Sequence, residues 1–360
     1  MKQRQGLALQ TRQRLTVMGR LRMADWIQMA EPDFAREVEK LEKDPLFQKL
    51  YFGDASIPGA VRRQRWPGGR LSGSFYEIDE RTATGGGERV GVEEFAQARG
   101  SALAAIKRMG QRDFERYFLH GEDALTLEEI GRRTGVSTED VRSIHELVVE
   151  LGARSEFEGT VLAPNAAPGR QTACLAQITL QGGEPNFEFF APYWARGLYQ
   201  VRYDLIERWK SGGLNSGERR HLPALLKRLE TVNLRQSTLF RLLETVARFQ
   251  LDYLADGRPE SIRPMSLRQL AKRMDLAPST VSRAFSRRSV RLPSGEEFPL
   301  IAFVPGRRRV LRELLGQWLA QNVSVSDAAL AARLKLERGI AVSRRTVNAV
   351  RHELRAVKQR

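Results

Sequence analysis

Apolar residues recur at three- and four-residue spacing in several separated stretches of the chain, and that period predicts a mainly α-helical protein. Leu21, Ala24 and Ile27, followed by Phe34, Val38 and Leu41, predict two helices over residues 15–43. Pro32 suits the first turn of the second helix, and Asp44 with Pro45 ends it. So short a unit must pack its apolar face on something else. Further on, Leu125, Leu127 and Ile130, a turn at Gly135 to Thr138, and Val141, Ile144 and Leu147 spell a helix, a Ser/Thr-capped turn and a second helix. That pair resembles a helix-turn-helix, but its second helix carries Glu139, Asp140, Glu146 and Glu150, a face that repels phosphates, so a structural role is expected. Residues 203–212 and 217–255 read as long helices. The second bears a stripe of Leu225, Leu226, Leu229, Leu239, Leu242, Leu243, Val246 and Phe249 and stops at Asp256 and Gly257.

Two stretches break the helical period. Residues 53–100 hold ten of the 30 glycines, including Gly85, Gly86 and Gly87, and read as a linker. Residues 165–200 combine Gly and Pro with short apolar runs (Ile178, Leu180; Phe187, Phe189, Phe190) and suggest a strand or two.

The last hundred residues hold two more helix pairs. In the first, Leu267, Leu270, Ala271 and Met274 make one buried face and Asp275, Leu276 and Ala277 the turn. Pro278 opens a helix with Val281 and Ala284 inward and Ser279, Thr280, Ser282, Arg283 and Arg287 outward. Short hydroxyl side chains let a helix lie deep in the major groove, and arginines reach phosphates or guanine edges. In the second pair, Ser326 caps a helix with Leu330, Ala331 and Leu334 inward, Gly339 breaks it, and Ser343 caps another whose Val347, Val350 and Leu354 form the buried stripe. Arg344, Arg345, Asn348, Arg351 and Arg355 take its exposed face.

Charge strengthens that picture. The 360-residue chain carries a net charge of +16, and residues 261–360, with 21 basic and 7 acidic residues, supply +14 of it. A basic module on an otherwise balanced chain is the footprint of a domain that neutralises phosphates. No apolar run approaches the length of a membrane span, no signal-peptide core is visible, and the single Cys174 cannot form an internal bridge. A cytoplasmic, reducing setting is the expectation.

Ser343, Arg344, Arg345, Thr346 and Val347, with Arg351 four residues on, resemble the signature box of bacterial sigma-54 (sigma-N) factors, Ala-Arg-Arg-Thr-Val-Ala-Lys-Tyr-Arg-Glu. Asn348, Ala349 and Val350 stand where that box has Ala-Lys-Tyr, and His352 replaces its Glu. Similarity extends to Leu276 through Arg283, to Arg235–Leu239 running on to Gln250 and Gly257, and to the segment from Leu7 to Thr16 with Glu37, Val38, Asp44, Pro45 and Leu46. The resemblance implies a multidomain helical protein with tandem C-terminal helix-turn-helix units. Residues 1–50 would respond to an activator, 51–100 would be a flexible linker, and 101–258 would bind core RNA polymerase. Residues 259–310 would lie at the downstream promoter element and 311–360 would read the upstream one.

On the same resemblance, Ser343, Arg344, Arg345, Asn348 and Arg351 would contact the upstream element, and Ser279, Thr280, Ser282, Arg283 and Arg287 the downstream one. Leu21, Trp26, Ile27, Phe34 and Leu41 would form the activator-responsive face. The implied partners are core RNA polymerase, GG/GC-type double-stranded promoter DNA and an AAA+ ATPase activator, with no membrane and no cofactor.

Enzymatic constellations are absent from the sequence. There is no Gly-x-x-x-x-Gly-Lys-Ser/Thr loop, the four histidines lie far apart, and Cys174 has no Cys partner. A non-catalytic factor is therefore expected. A repressor or plasmid replication initiator with tandem helix-turn-helix units is the alternative class.

Overall fold

The computed structural model describes residues 24–73, 100–120, 125–159, 172–321 and 325–358. Its helices are α1 (Glu31–Glu42), α2 (Pro45–Phe52), α3 (Gly100–Met109), α4 (Leu127–Thr134), α5 (Thr138–Gly159), α6 (Ser216–Phe249), α7 (Leu267–Met274), α8 (Pro278–Phe285), α9 (Arg307–Gln321), α10 (Asp327–Arg338) and α11 (Arg344–Lys358), with shorter turns between them. The strands are β1 (Val61–Gln64), β2 (Gly69–Leu71), β3 (Ala173–Gln181), β4 (Glu184–Phe189), β5 (Leu198–Val201), β6 (Arg288–Arg291) and β7 (Glu297–Pro299). The protein is mainly α, as its periodicity predicts, with more sheet than the one or two strands expected.

The spine is α6, 34 residues long and so roughly 50 Å at 1.5 Å per residue. Asn215 starts it in a reciprocal capping box: its side chain accepts from the Glu218 amide at 2.8 Å, and the Glu218 carboxylate accepts from the Asn215 amide. Leu225, Leu229, Leu239, Leu242, Leu243 and Val246 are buried along it. At its end the buried Gln250 donates to the carbonyls of Arg263 and Phe303 and accepts from the Arg263 amide, which satisfies the chain that leads into α7.

A five-stranded mixed sheet in the order β2-β4-β3-β6-β7 runs through the middle of the molecule. The β3–β4 hairpin turns at Gly182 and Gly183, both at positive φ. Strand β6, which follows α8 directly, pairs parallel with β3. The first basic helix pair is thus continuous with the central sheet.

Residues 53–100 were expected to be linker throughout, but 61–64 and 69–71 are strands, with Trp66 buried between them. The cause is a long-range charge: Arg63 in β1, which polar patterning would place in water, is buried on Glu42. The rest of the predicted linker, 74–99, lies outside the described residues. Asp44 also does more than end a helix, because its carboxylate accepts from the Leu46 and Phe47 amides and starts α2. In α4–α5 the Thr126/Glu129 capping box and left-handed Gly135 build the expected helix pair. Its Val141, Ile144, Leu147 and Val148 are buried, as the structural reading of that pair requires.

Helix α1 carries a buried carboxylate at each end. Glu31 accepts from Arg235 Nη2 at 2.7 Å, Arg288 Nε at 2.6 Å, Tyr193 Oη at 2.9 Å and Trp194 Nε1 at 3.2 Å. Glu42 accepts from Arg196 Nη1 at 2.7 Å, Tyr199 Oη at 2.6 Å and Arg63 Nη2. Burial alone would raise both carboxyls. The paired guanidiniums overcome it and hold each at about 2. Residues 24–52 are therefore built into the core. Ile27, Phe34 and Leu41, expected on an activator-responsive face, are each almost fully buried and Trp26 is half-buried; Leu21 lies outside the described residues. The packing surface that so short a unit requires is thus the core itself; amphipathic spacing does not say which surface covers a stripe.

Two outcomes follow from these clusters. Glu31→Gln leaves two buried arginines short of a counter-charge and should cost roughly 3–5 kcal/mol in urea unfolding, the range for breaking one partner of a buried pair. Acid sensitivity should come in stages. Burial, aided by Arg196, pushes His145 down from 6.5 to about 3, so its contribution is whole above pH 6.5 and is lost as pH falls and the unfolded chain alone takes up the proton. Glu31 and Glu42 add a second loss from about pH 4.5 towards 2. Urea midpoints measured against pH should show the upper stage in the wild type and not in His145→Leu.

Candidate nucleic-acid interface

The first basic unit is α7, α8 and a β-hairpin. Ser266 accepts from the Gln269 amide at 3.1 Å while the Gln269 side chain accepts from the Ser266 amide, so α7 begins in a capping box. Asp275 at φ 54° closes the helix in the left-handed region, and Pro278 stands at the start of α8. Leu270, Ala271, Met274, Val281, Ala284 and Phe285 are buried between the two helices and the body. Strands β6 and β7 then form an antiparallel wing that turns at Gly295. As predicted, Ser279, Ser282, Arg283 and Arg287 are exposed; Thr280 is half-buried.

Arg288, one residue beyond that face, turns the other way. It donates to the Ala284 carbonyl at 2.8 Å and the Arg283 carbonyl at 3.3 Å, and also to the Ile27 and Met29 carbonyls and to Glu31. One guanidinium thus caps the C-terminal end of α8 and binds it to the N-terminal segment.

The second unit is the three-helix set α9, α10 and α11. Val310, Leu311, Leu314, Leu315 and Trp318 are buried with Leu330, Leu334, Ile340, Val347 and Val350. Ser326 caps α10 by accepting from the Ala329 amide, Gly339 closes it at φ 64°, and Ser343 accepts from the Thr346 amide to start α11. Ser343, Arg344, Arg345 and Asn348 are exposed on α11.

Helices α8, α9 and α11 carry no acidic residue in their first turns, so their positive dipole ends are unopposed. Between the starts of α9 and α11 lies an open cleft of about 670 Å³ whose lining includes Arg307, Arg308, Ser343, Arg345 and Thr346. Both units therefore present a shape and charge suited to a duplex.

Comparison with known proteins agrees with this geometry. The family described as Sigma-54, DNA binding domain matches residues 219–360, the span that contains nearly all of α6 and both basic units. The likeness to sigma-54 factors thus lies in this C-terminal part of the chain. An RNA polymerase sigma-54 factor of Cereibacter sphaeroides is 34% identical over 137 residues, covering 34% of this chain and 31% of the relative. One from Xanthomonas euvesicatoria is 34% identical over 138 residues, covering 34% and 27% respectively. The matched stretch thus spans under a third of either relative. Among solved structures, the crystal structure of Aquifex aeolicus sigmaN bound to promoter DNA is similar at 18% identity and a TM-score of 0.36, covering 71% of this chain and 96% of that one.

Within residues 219–360, one expected contact residue is placed differently. Arg351 was read onto the exposed face of α11, but it donates to Asp327 Oδ1 at 2.6 Å and to the Val325 carbonyl, and its side chain is 13% exposed. Its helical position admits either direction, and the carboxylate 24 residues upstream decides it.

Sequence reading also passed over Arg307 and Arg308. The triplet Arg307, Arg308 and Arg309 was a visible charge run, but only the fold shows two of its members lining the cleft beside Arg345.

Elsewhere, Cys174 on β3 is half-buried, and burial together with the nearby Glu297 charge pushes its thiol up to about 12, far from a reactive thiolate. No group of three or more His, Cys, Asp or Glu among the described residues could hold a metal ion, and no described helix is long and apolar enough to cross a membrane.

Because Arg351 joins α11 to α10, Arg351→Ala should lower the stability of the C-terminal unit by roughly 1–3 kcal/mol, the cost of leaving a carboxylate unpaired. Its effect on DNA should be uniform across sequences. A thermal melt and a panel of point-mutated duplexes would separate this from lost base reading, in which the melt stays put and one base position relaxes.

Proposed function

We propose that this chain acts as a sigma-54-type transcription initiation factor, a non-catalytic subunit that binds core RNA polymerase and brings it to promoter DNA. The observation that carries the reading is the coincidence of the family match over residues 219–360 with two helix-turn-helix units whose second helices, α8 and α11, begin without an acidic residue. In this reading residues 101–258 hold the polymerase. The α7–α8 unit within 259–310 lies at a downstream GC element, and α11 within 311–360 reads an upstream GG element. Arg344 and Arg345 supply the guanine contacts, because a guanidinium matches guanine O6 and N7 in the major groove.

The N-terminal segment then takes the role of a regulated element. Since Ile27, Phe34 and Leu41 are interior and α1 is held by two buried carboxylate clusters, an activator reaches that face only by extracting the segment. Work of that kind suits an AAA+ ATPase rather than a passive ligand. Loss of the segment would also uncover buried arginines, so a truncated chain is a damaged one rather than a constitutively open one.

Copurification with core polymerase, followed by footprinting on a GG/GC promoter, tests the proposal. The full chain should be retained by polymerase and protect both elements. Arg345→Ala should lose about 1–3 kcal/mol of discrimination at one upstream guanine while retaining non-specific binding and nearly the same salt slope. Failure to bind polymerase, with duplex binding intact, would point to a free-standing DNA-binding protein.

A further inference from the structure

Asp327, the first residue of α10, has both carboxylate oxygens engaged by side chains of α11. Oδ1 accepts from Arg351 Nη1 at 2.6 Å and Oδ2 accepts from Asn348 Nδ2 at 2.8 Å. Arg351 is fixed in turn by the Val325 carbonyl. Asn348 lies four residues after Arg344 and three after Arg345, on the same exposed face of the helix.

An ionised carboxylate has no proton to give, so the amide of Asn348 must turn its nitrogen towards Asp327. That settles which way the amide faces by chemistry rather than by the near-identical shapes of oxygen and nitrogen. The carbonyl Oδ1 is directed away from Asp327, on an exposed residue, as an acceptor. In the major groove only adenine N6 and cytosine N4 offer a donor to that oxygen, and the second Nδ2 hydrogen can add a bond to adenine N7; opposite guanine O6 or thymine O4 the oxygen itself would meet an acceptor.

We propose that Asp327 is a positioning residue that holds Asn348 as a fixed hydrogen-bond acceptor, selecting adenine or cytosine over guanine or thymine at a base beside those faced by Arg344 and Arg345. Asp327 touches no base and acts through Asn348. A side chain held from a second helix is ordered before it meets DNA, which is how a single exposed amide becomes selective. The inference rests on reading α11 as the helix that enters the groove.

The test is selection of duplexes from a randomised library by the full chain, with each variant's base preference read position by position. The wild type should show a guanine preference that Arg345→Ala removes, and next to it a preference for adenine or cytosine of roughly tenfold. Asn348→Ala, which leaves the Asp327–Arg351 pair alone, should erase only the second preference. Asp327→Ala should weaken that same preference while the Arg345-dependent guanine preference persists, an outcome that a merely structural role would not give. Should Asp327→Ala fail to melt cooperatively, Asp327→Glu keeps a carboxylate for Arg351 but displaces the amide, and should show the same selective loss. An adenine or cytosine preference that survives Asn348→Ala, or a loss spread evenly over all positions in the Asp327 variants, overturns the proposal. Enrichment of no sequence by the wild type overturns instead the underlying view of α11 as a reading helix.

Discussion

A single carboxylate, Glu31, holds together parts of the chain that are otherwise far apart. Its oxygens collect Arg235 from the long helix, Arg288 from the end of the first basic unit, and Tyr193 and Trp194 from the region between. No member is stable alone in that setting. A lone buried guanidinium or carboxylate carries a desolvation penalty of several kcal/mol, and only the assembled cluster offsets it. Arg235 is further stacked over Phe34, its guanidinium carbon 3.7 Å from the ring centroid. Such a cluster is weak as a source of net stability but strong as a specifier of arrangement. Any alternative docking of α1 leaves charge uncompensated.

The same logic recurs at the other end of α1, where Glu42 gathers Arg63, Arg196 and Tyr199, with the Arg63 guanidinium 3.5 Å from the centre of the Tyr199 ring. One helix is thereby fastened at both termini. What it fastens includes the C-terminal end of α8, because Arg288 serves Glu31 and the carbonyls of Arg283 and Ala284 together. The geometry of α8 and the position of the N-terminal segment are therefore not independent variables.

Much of this was legible in the amino-acid order. Leu270, Ala271 and Met274 face the interior as their spacing requires, Ser326 and Ser343 cap the helices they precede, and Arg344 and Arg345 are exposed. These are local effects, set within one or two turns, and pattern reading captures local effects well. The misplacements share a different origin. Arg63 in an expected linker and Arg351 on an expected exposed face were each decided by a partner distant in sequence: Glu42 and Asp327. Charge counted along a chain does not say which arginines are spent on carboxylates. The basic excess of the last hundred residues is real, yet Arg288 and Arg351 contribute to it while paired with Glu31 and Asp327.

The distance between Glu31 and Arg288 also has a temporal side. They are separated by 257 positions, so a ribosome adding about 5–20 residues per second needs roughly 13–50 s after making the acid to supply its second base. Over that interval the emerging helix has a charged group that its final surroundings cannot yet accommodate, and a native-like collapse around it is disfavoured. The cluster at Glu31 can be complete only after synthesis has passed Arg288, three residues beyond the end of α8.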